Sequence, residues 1–289
     1  MLEKIIRGAN INLRGNIFYT SVQILAYADD IDIISRYPKS LREATLALDK
    51  SARVMGLVIN QDKTKYMICG ARKKYGEQML KVQHMTFERV NSFVYLGSLI
   101  TADNNISVEI NNRITLANRS YFGLMNLLKA KNMSRKHKVT MYKTLIKPVL
   151  VYGAETWVMR RADELRLGVF ERKILRRIYG PIYEEDAWRS RYNDELYHLY
   201  GEVDLVTAIK KTRLRWAGHI VRMQDNLPCR KITLGTPEGR RKVGRPSLRW
   251  MDGVKRDAGR MGIRNWRTKA MDREGWRLMI ESVKTLHGL

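Results

Sequence analysis

Apolar positions follow two different periods along this chain. Up to about residue 101 they come in short runs separated by turns; from about 105 onward they recur at helical spacing almost throughout. Residues 1–8 read as the end of a helix, closed by Gly8-Ala9-Asn10. Residues 17–35 predict a β-hairpin, with IFYTSVQILAYA as one arm, IDIIS as the other and two aspartates at the turn. In YPKSLREATLALDKSARVMG, Ser40 and Glu43 fit a capping box downstream of Pro38. Leu41, Ala44, Leu48, Ala52 and Met55 then share one helical face, and Gly56 ends it. LVINQDKTKYMIC predicts a turn feeding a strand. A basic loop at 70–77 follows, then strands in QMLKVQ and NSFVYLGSLIT.

The later spacing predicts helices at 106–130, 135–151, 161–179, 185–200 and 203–223. In the last, Ile209, Trp216, Ile220 and Met223 lie near one face, and Lys211, Arg215 and Arg222 share another. Residues 226–247 are rich in Gly, Pro, Arg and Lys and read as a linker, with short helices at 247–260 and 266–285. The expected fold class is α+β. Residues 1–101 form a mixed region, 102–225 a helical one, and 226–289 a basic linker with C-terminal helices.

Composition narrows the function. The chain has 289 residues and a hydrophobic fraction of 44%, enough for a core. Its 54 Lys and Arg against 29 Asp and Glu leave a formal charge of +25. Such an excess points to a polyanionic partner, nucleic acid first and an anionic membrane surface as the weaker alternative. Residues 209–289 are the most basic part, with 21 Lys and Arg against 7 acids. All six tryptophans follow residue 156 and are expected in the helical core. Two distant cysteines, Cys69 and Cys229, give no disulfide framework, and the five histidines show no zinc spacing. No apolar run is long enough to span a bilayer and the N-terminus lacks a signal-peptide core, so an intracellular, nuclear or cytoplasmic protein is expected.

Within this basic chain, QILAYADDID (23–32) places Asp29, Asp30 and Asp32 in what reads as a buried strand and turn. Two carboxylates ~5 Å apart repel by roughly 3 kcal/mol at an effective dielectric of ~20. A divalent cation turns that cost into binding, and Mg²⁺ favours a few carboxylates with water and phosphate oxygens. Alone, an Asp-Asp pair is more often a solvated turn that caps backbone N–H groups.

The surroundings carry a resemblance. Tyr-Ala-Asp-Asp at 27–30, in a strand-turn-strand, resembles the catalytic hairpin of reverse transcriptases. Gly56-Leu57-Val58-Ile59-Asn60 with Lys63-Thr64-Lys65 is similar to that family's next block, and Phe93-Val94-Tyr95-Leu96-Gly97-Ser98 to the block that grips the primer. IKPVLVYGAETW (146–157), LRWAGHIVRM (214–223) and GRPSLRWMDGV (244–254) resemble the thumb and C-terminal region of non-LTR (LINE-type) retrotransposon polymerases. The resemblance implies a partial palm sheet, then a helical thumb and a basic C-terminal region. It implies Asp29 as the ligand bridging two Mg²⁺ ions and Asp30 as the auxiliary acid. Tyr27 and Ala28 would flank primer end and nucleotide, and Lys63 would assist the departing pyrophosphate. Tyr95, Leu96 and Gly97 would lie under the primer. Independently of the resemblance, the basic face of Lys211, Arg215 and Arg222 is a candidate for nucleic-acid binding. The partners that the resemblance implies are an RNA template and a DNA primer or other nucleic acid.

A two-metal palm needs a further carboxylate from an upstream strand. Only Glu3, in a predicted helix, precedes Asp29, and the fingers have no counterpart. The expectation is therefore a truncated RNA-directed DNA polymerase domain that holds Mg²⁺ weakly or not at all and is inactive alone. Its exposed palm edge would favour self-association. Competing readings are a retroelement-derived nucleic-acid-binding protein without catalysis, a reading frame with no selected role, and a palm completed in trans by another chain.

Overall fold

The computed structural model describes residues 2–11, 22–69, 77–235 and 248–282. The chain folds as two compact units of α+β character. The first is built on Met1–Phe93, the second on Val94–Ile100, Asn105–Leu234 and Lys242–Leu289. The C-terminal helices thus group with the preceding helical region rather than forming a third body.

In the first unit, α1 (Leu2–Gly8) packs on α2 (Pro38–Val54) through Ile5, Leu48 and Ala52, with Ile31 and Ile33 of the hairpin alongside. That hairpin is β1 (Gln23–Tyr27) and β2 (Asp30–Ile34), a two-stranded sheet of its own. The remaining sheet joins β3 (Lys65–Tyr66), β4 (Met79–Val82) and β5 (Met85–Arg89) in the order β3-β5-β4. Alternation along β4 and β5 buries Leu80, Val82, Met85 and Phe87 together with Tyr66. The predicted face of α2 is present: Ala44, Leu48 and Ala52 are buried, although Met55 is exposed. Its predicted capping box is not. Pro38 itself opens the helix after Tyr37, which places Ser40 inside the first turn. At the other end Gly56 takes φ +74°, and the N–H groups of Gly56 and Leu57 reach the carbonyls of Arg53 and Ala52, a Schellman cap.

The run 92–101 is a hairpin rather than one strand: β6 (Ser92–Tyr95) and β7 (Ser98–Thr101) join at Leu96-Gly97. Helices α3 (Ile106–Gly123) and α4 (Met125–Lys129) follow. Next, α5 (Arg135–Met141) runs through a π-helical turn, Tyr142–Ile146, into α6 (Lys147–Val151). Then come α7 (Arg161–Tyr179), β8 (Ile182–Glu184), β9 (Ala187–Arg189), α8 (Asn193–Tyr200) and α9 (Leu205–Arg222). The β8–β9 hairpin corrects the helix expected from 185. Of the predicted linker, residues 228–234 are helical as α10 (Pro228–Leu234), and 236–247 lie outside the described residues. The chain closes with α11 (Trp250–Arg260), α12 (Trp266–Lys269) and α13 (Arg273–Ser282).

Two clusters fill the second unit. One gathers Ile110, Tyr121, Tyr142, Leu150, Trp157, Phe170, Ile174, Leu196 and Ile209. At its centre the fully buried Glu171 accepts hydrogen bonds from Tyr142 (2.9 Å), Tyr197 (3.1 Å) and the Leu205 N–H (2.7 Å). Burial nevertheless holds the Glu171 carboxyl above the usual glutamate value, the donors and Lys147 offsetting it only in part. The second cluster seats Val254, Ala258, Trp266, Trp276 and Ile280 against Leu214, Ala217 and Val221 of α9. Trp276 donates its indole N–H to the Leu214 carbonyl at 3.1 Å. This close approach requires glycine at 218, where a Cβ would lie 2.6 Å from the Trp276 Cδ1 and closer still to Nε1.

Two consequences follow for stability. Gly218→Ala overpacks the Trp276 seat and should cost about 1–3 kcal/mol in urea unfolding, despite alanine's better helix propensity. Gly259→Ala in α11, where an added Cβ meets nothing within 4 Å, should instead stabilise by about 0.5–1 kcal/mol; equal effects at the two positions would contradict the packing described. The second concerns Glu171. Because the native state holds its proton more tightly than the unfolded chain, its stabilisation is full below the ordinary value of 4.5 and fades as pH rises above it. Melting curves should therefore show the Tm of Glu171→Gln rising relative to the parent between about pH 4.5 and 7, and a falling difference would refute this.

Candidate functional site

Residues 27–30 form the tip of the β1–β2 hairpin. Tyr27 pairs with Asp30 across the strands, leaving Ala28 and Asp29 as a two-residue turn. Ala28 adopts φ +53°, a left-handed conformation that a residue with a Cβ enters at a cost. Tyr27, Ala28, Asp29 and Asp30 are all exposed, as is Leu25. The expected buried strand is thus open on this side. Ile31 and Ile33 pack toward α1 and α2, while alternation turns Tyr27 and Leu25 outward. Asp32, opposite Leu25, is half-buried, and burial pushes its carboxyl up.

The resemblance implies Mg²⁺ at this tip. Asp29 and Asp30 are fitting donors for one hard cation. Among the described residues, however, no group of three or more His, Cys, Asp or Glu side chains is placed to hold a metal ion. Two solvated carboxylates on a strained turn do not make the bridged donor set of a two-metal centre.

Lys63 sits in a separate turn of the same unit. The Asn60 carboxamide oxygen accepts from the N–H groups of Asp62 and Lys63, both at 3.1 Å, and the Lys63 side chain is exposed. Asn60 therefore has a local structural task, and it fixes the backbone from which Lys63 projects.

Tyr95, Leu96 and Gly97 belong to the β6–β7 turn. Leu96 (φ +45°) and Gly97 (φ +77°) give it the left-handed pair of a type I′ turn, which explains the glycine at 97 and makes Leu96 a second strained position. Its tip is clamped by backbone acceptors. The Leu96 carbonyl accepts from the Tyr152 hydroxyl at 2.9 Å, and the Gly97 carbonyl accepts from the Arg113 guanidinium. Arg113 stacks over the Tyr152 ring at 4.6 Å and is held by Glu109 at 2.6 Å. The other Glu109 oxygen accepts from the Leu99 N–H at 2.9 Å. Gly153, next to Tyr152, leaves room for Ser98, whose Oγ would stand 3.3 Å from an added Cβ.

The three basic residues expected on one face of α9 separate. Lys211 is buried and hydrogen-bonds the Glu281 carbonyl at 3.3 Å. Arg222 donates to the Ala270 carbonyl at the end of α12, and burial lowers its pKa. Arg215 is exposed, 3.9 Å from Glu281. Two of the three cations therefore fasten the C-terminal helices to α9.

One row of solvated cations lies on α7. Arg166, Lys173 and Arg177 are exposed and fall within about 40° of one another around the helix, over roughly 16 Å of its length. Arg166 and Lys173 are steadied by Asn111 (3.1 Å) and Asn118 (3.0 Å) of α3, and Lys173 lies over the rings of Tyr121 and the exposed Phe122. Arg119 of α3 is exposed as well. The acids of α7 all turn inward. Asp163 caps the Arg160 N–H at 3.0 Å, Glu164 pairs with buried Lys210 at 2.9 Å, and Glu171 meets the tyrosines. Spacing of 166, 173 and 177 at i, i+7 and i+11 marks this stripe in the sequence. It was masked by the three acids interspersed with it.

No helix among the described residues is long and apolar enough to cross a membrane. No protein-family model matches the chain, and no solved structure matches it. Among curated proteins it is similar to a Caenorhabditis elegans protein whose name describes it as transposon-derived and uncharacterized. The two are 29% identical over 266 residues, 89% of this chain and 94% of that relative. A likeness running through nearly the whole of both chains supports a transposon origin for this one.

Proposed function

We propose that this chain is a nucleic-acid-binding protein derived from a non-LTR retroelement reverse transcriptase, and that it binds through its helical unit without catalysing polymerisation on its own. The observation that carries this reading is the sorting of charge on α7: the acids are internal, and Arg166, Lys173 and Arg177 are exposed in one stripe. A row of solvated cations on a rigid helix suits phosphate groups spaced along a strand. Lys173 and the exposed Phe122 beside it add an aromatic face on which a base or ribose could rest. The transposon-derived relative supports the origin.

A second reading, RNA-directed DNA polymerase, draws on one specific feature, the presentation of Asp29 and Asp30 at a strained hairpin tip. Among the described residues, the donor set at that tip is too small for the two-ion displacement that such chemistry uses.

Fluorescence anisotropy with a labelled RNA–DNA duplex separates the readings. Binding by the full chain should weaken linearly in log–log salt titrations. Arg166→Gln/Lys173→Gln/Arg177→Gln should lower affinity at least about tenfold and flatten the slope by about 2–3, near one unit per lost phosphate contact. Asp29→Asn should bind like the parent. Salt-independent binding, or a triple variant indistinguishable from the parent, would overturn the proposal. In primer extension with Mg²⁺ and nucleotides no product is expected, and extension that Asp29→Asn abolishes would establish the polymerase reading instead.

A further inference from the structure

The β8–β9 hairpin carries the densest exposed aromatic group of the second unit, and the nucleic-acid reading does not use it. Tyr183 and Trp188 are cross-strand partners with ring centroids 5.3 Å apart and planes inclined by 57°, forming an open notch. They are 56% and 70% exposed, and Tyr192 just beyond is 66% exposed with the Arg189 guanidinium stacked 4.4 Å from its ring centre. Trp157, Trp266 and Trp276, by contrast, are core residues. The turn between the strands is Glu185-Asp186, both left-handed at φ +49° and +60°. With Glu184 it makes three exposed acids in succession on a chain of charge +25. Glu184 is engaged by Arg189 at 2.6 Å, whereas Glu185 and Asp186 form no ion pair among the described residues.

The base of this hairpin is fixed. Arg189 forks onto both oxygens of Glu195 at 3.0 and 2.8 Å, and with the Tyr192 N–H it holds the Glu195 carboxyl down at about 2. Arg191 donates to the Gly180 carbonyl at 3.1 Å, and Arg176 ties the Arg191 carbonyl (3.2 Å) to Asn193 (2.9 Å). Large aromatics held out in water on a rigid support are the composition of an interface hot spot, with much of the ordering cost already met by folding. The charge decides the class of occupant. Two carboxylates at the tip with no ion pair among the described residues, Asp186 accepting only from the Tyr183 hydroxyl at 3.5 Å, repel a phosphate backbone. They attract ammonium and guanidinium groups, which also favour the faces of Trp and Tyr.

We propose that the β8–β9 hairpin docks a Lys- and Arg-rich peptide segment of a partner protein, with a cationic side chain seated in the Tyr183–Trp188 notch and faced by Glu185 and Asp186. The test uses the full chain with synthetic Arg-Gly and Lys-Gly repeat peptides, and a Glu-Gly repeat as control, followed by tryptophan emission and calorimetry. The cationic peptides should bind and perturb emission, and the acidic one should not. Trp188→Ala should weaken binding about tenfold, as should Glu185→Gln/Asp186→Asn, while Trp188→Phe retains most of it. All these positions are exposed, so thermal melting should be unchanged. The triple α7 variant should bind the peptides like the parent, which keeps this proposal separate from the nucleic-acid reading. Absence of peptide binding, or equal binding by Trp188→Ala, would overturn it. So would loss of single-stranded oligouridine binding in Trp188→Ala with peptide binding intact, which would make the notch a base-stacking platform.

Discussion

One fully buried guanidinium, that of Arg213, organises the helical core of the second unit. It donates to the Trp157 carbonyl at 2.8 Å and to the Asp257 carboxylate, with both side chains out of water. Gly253 lies beside it, where an added Cβ would come within 3.3 Å of Nη1. Removing a charge from water costs several kcal/mol, so neither partner is tolerable alone; stranding one costs about 3–5 kcal/mol. Positions 157, 213, 253 and 257 are therefore fixed together. The contacts around them extend the same lock. Trp250 donates to the Glu155 carbonyl at 2.7 Å, and Lys210 pairs with Glu164 one turn of α9 before Arg213. The sequence blocks at 146–157 and 214–223, and the described part of the third at 248–254, meet at or beside this arginine, and much of their composition has a packing explanation.

Burial of acids does more than stabilise. Glu109, Asp163, Glu164, Glu171 and Asp257 are all internal. Each is held by donors: a guanidinium, a backbone N–H, an ammonium or tyrosine hydroxyls. Turning the acids of α7 inward leaves Arg166, Lys173 and Arg177 as the exposed charges of one stripe, with Asp163 still 3.9 Å from Arg166. The exception is the β8–β9 tip, where acids and aromatics are together left in water. Such opposed surfaces on one unit suit partners of opposite charge.

Helical faces were legible in the sequence because burial repeats with the helix: Ala44, Leu48 and Ala52 on α2, and Ile209 and Ile220 on α9, are buried as their spacing requires. The misses share a cause, a partner distant in sequence or a turn with unusual chemistry. Lys211 and Arg222 read as nucleic-acid-binding cations on one face, and spacing alone does not reveal their acceptors, the carbonyls of Glu281 and Ala270, dozens of residues away. The β8–β9 hairpin turns on Glu-Asp rather than Asn-Gly, so an acid-rich run passed for a helix start. Strand β5 went unnoticed because its turn lies at Gln83, a non-glycine residue at φ +52°. Pro38 at the first helical position outweighed Ser40 as a start signal. At the hairpin tip the acids were legible, but their exposure was not, since that depends on what covers β1.

The residues that carry the reverse-transcriptase resemblance thus divide into two physical classes. Gly97, Tyr152, Trp157, Gly218 and Gly253 are explained by the fold: a left-handed turn, a carbonyl clamp, a buried acceptor and two close approaches. Substituting them acts through stability, and any loss of binding is then ambiguous. Asp29, Asp30 and Lys63 stand in water, and Ala28 is strained beside them. Folding gains little from these side chains, and the left-handed alanine costs it something. What that tip is for must be read from ligands, since removing its charges leaves the core contacts intact. The α7 stripe belongs to this second class too, for Arg166 and Lys173 are exposed, and their contacts, Asn111, Asn118, a long 3.9 Å approach to Asp163 and the rings of Tyr121 and Phe122, lie at the surface end of each side chain. That is why it can be altered to ask about nucleic acid without first asking whether the chain still folds.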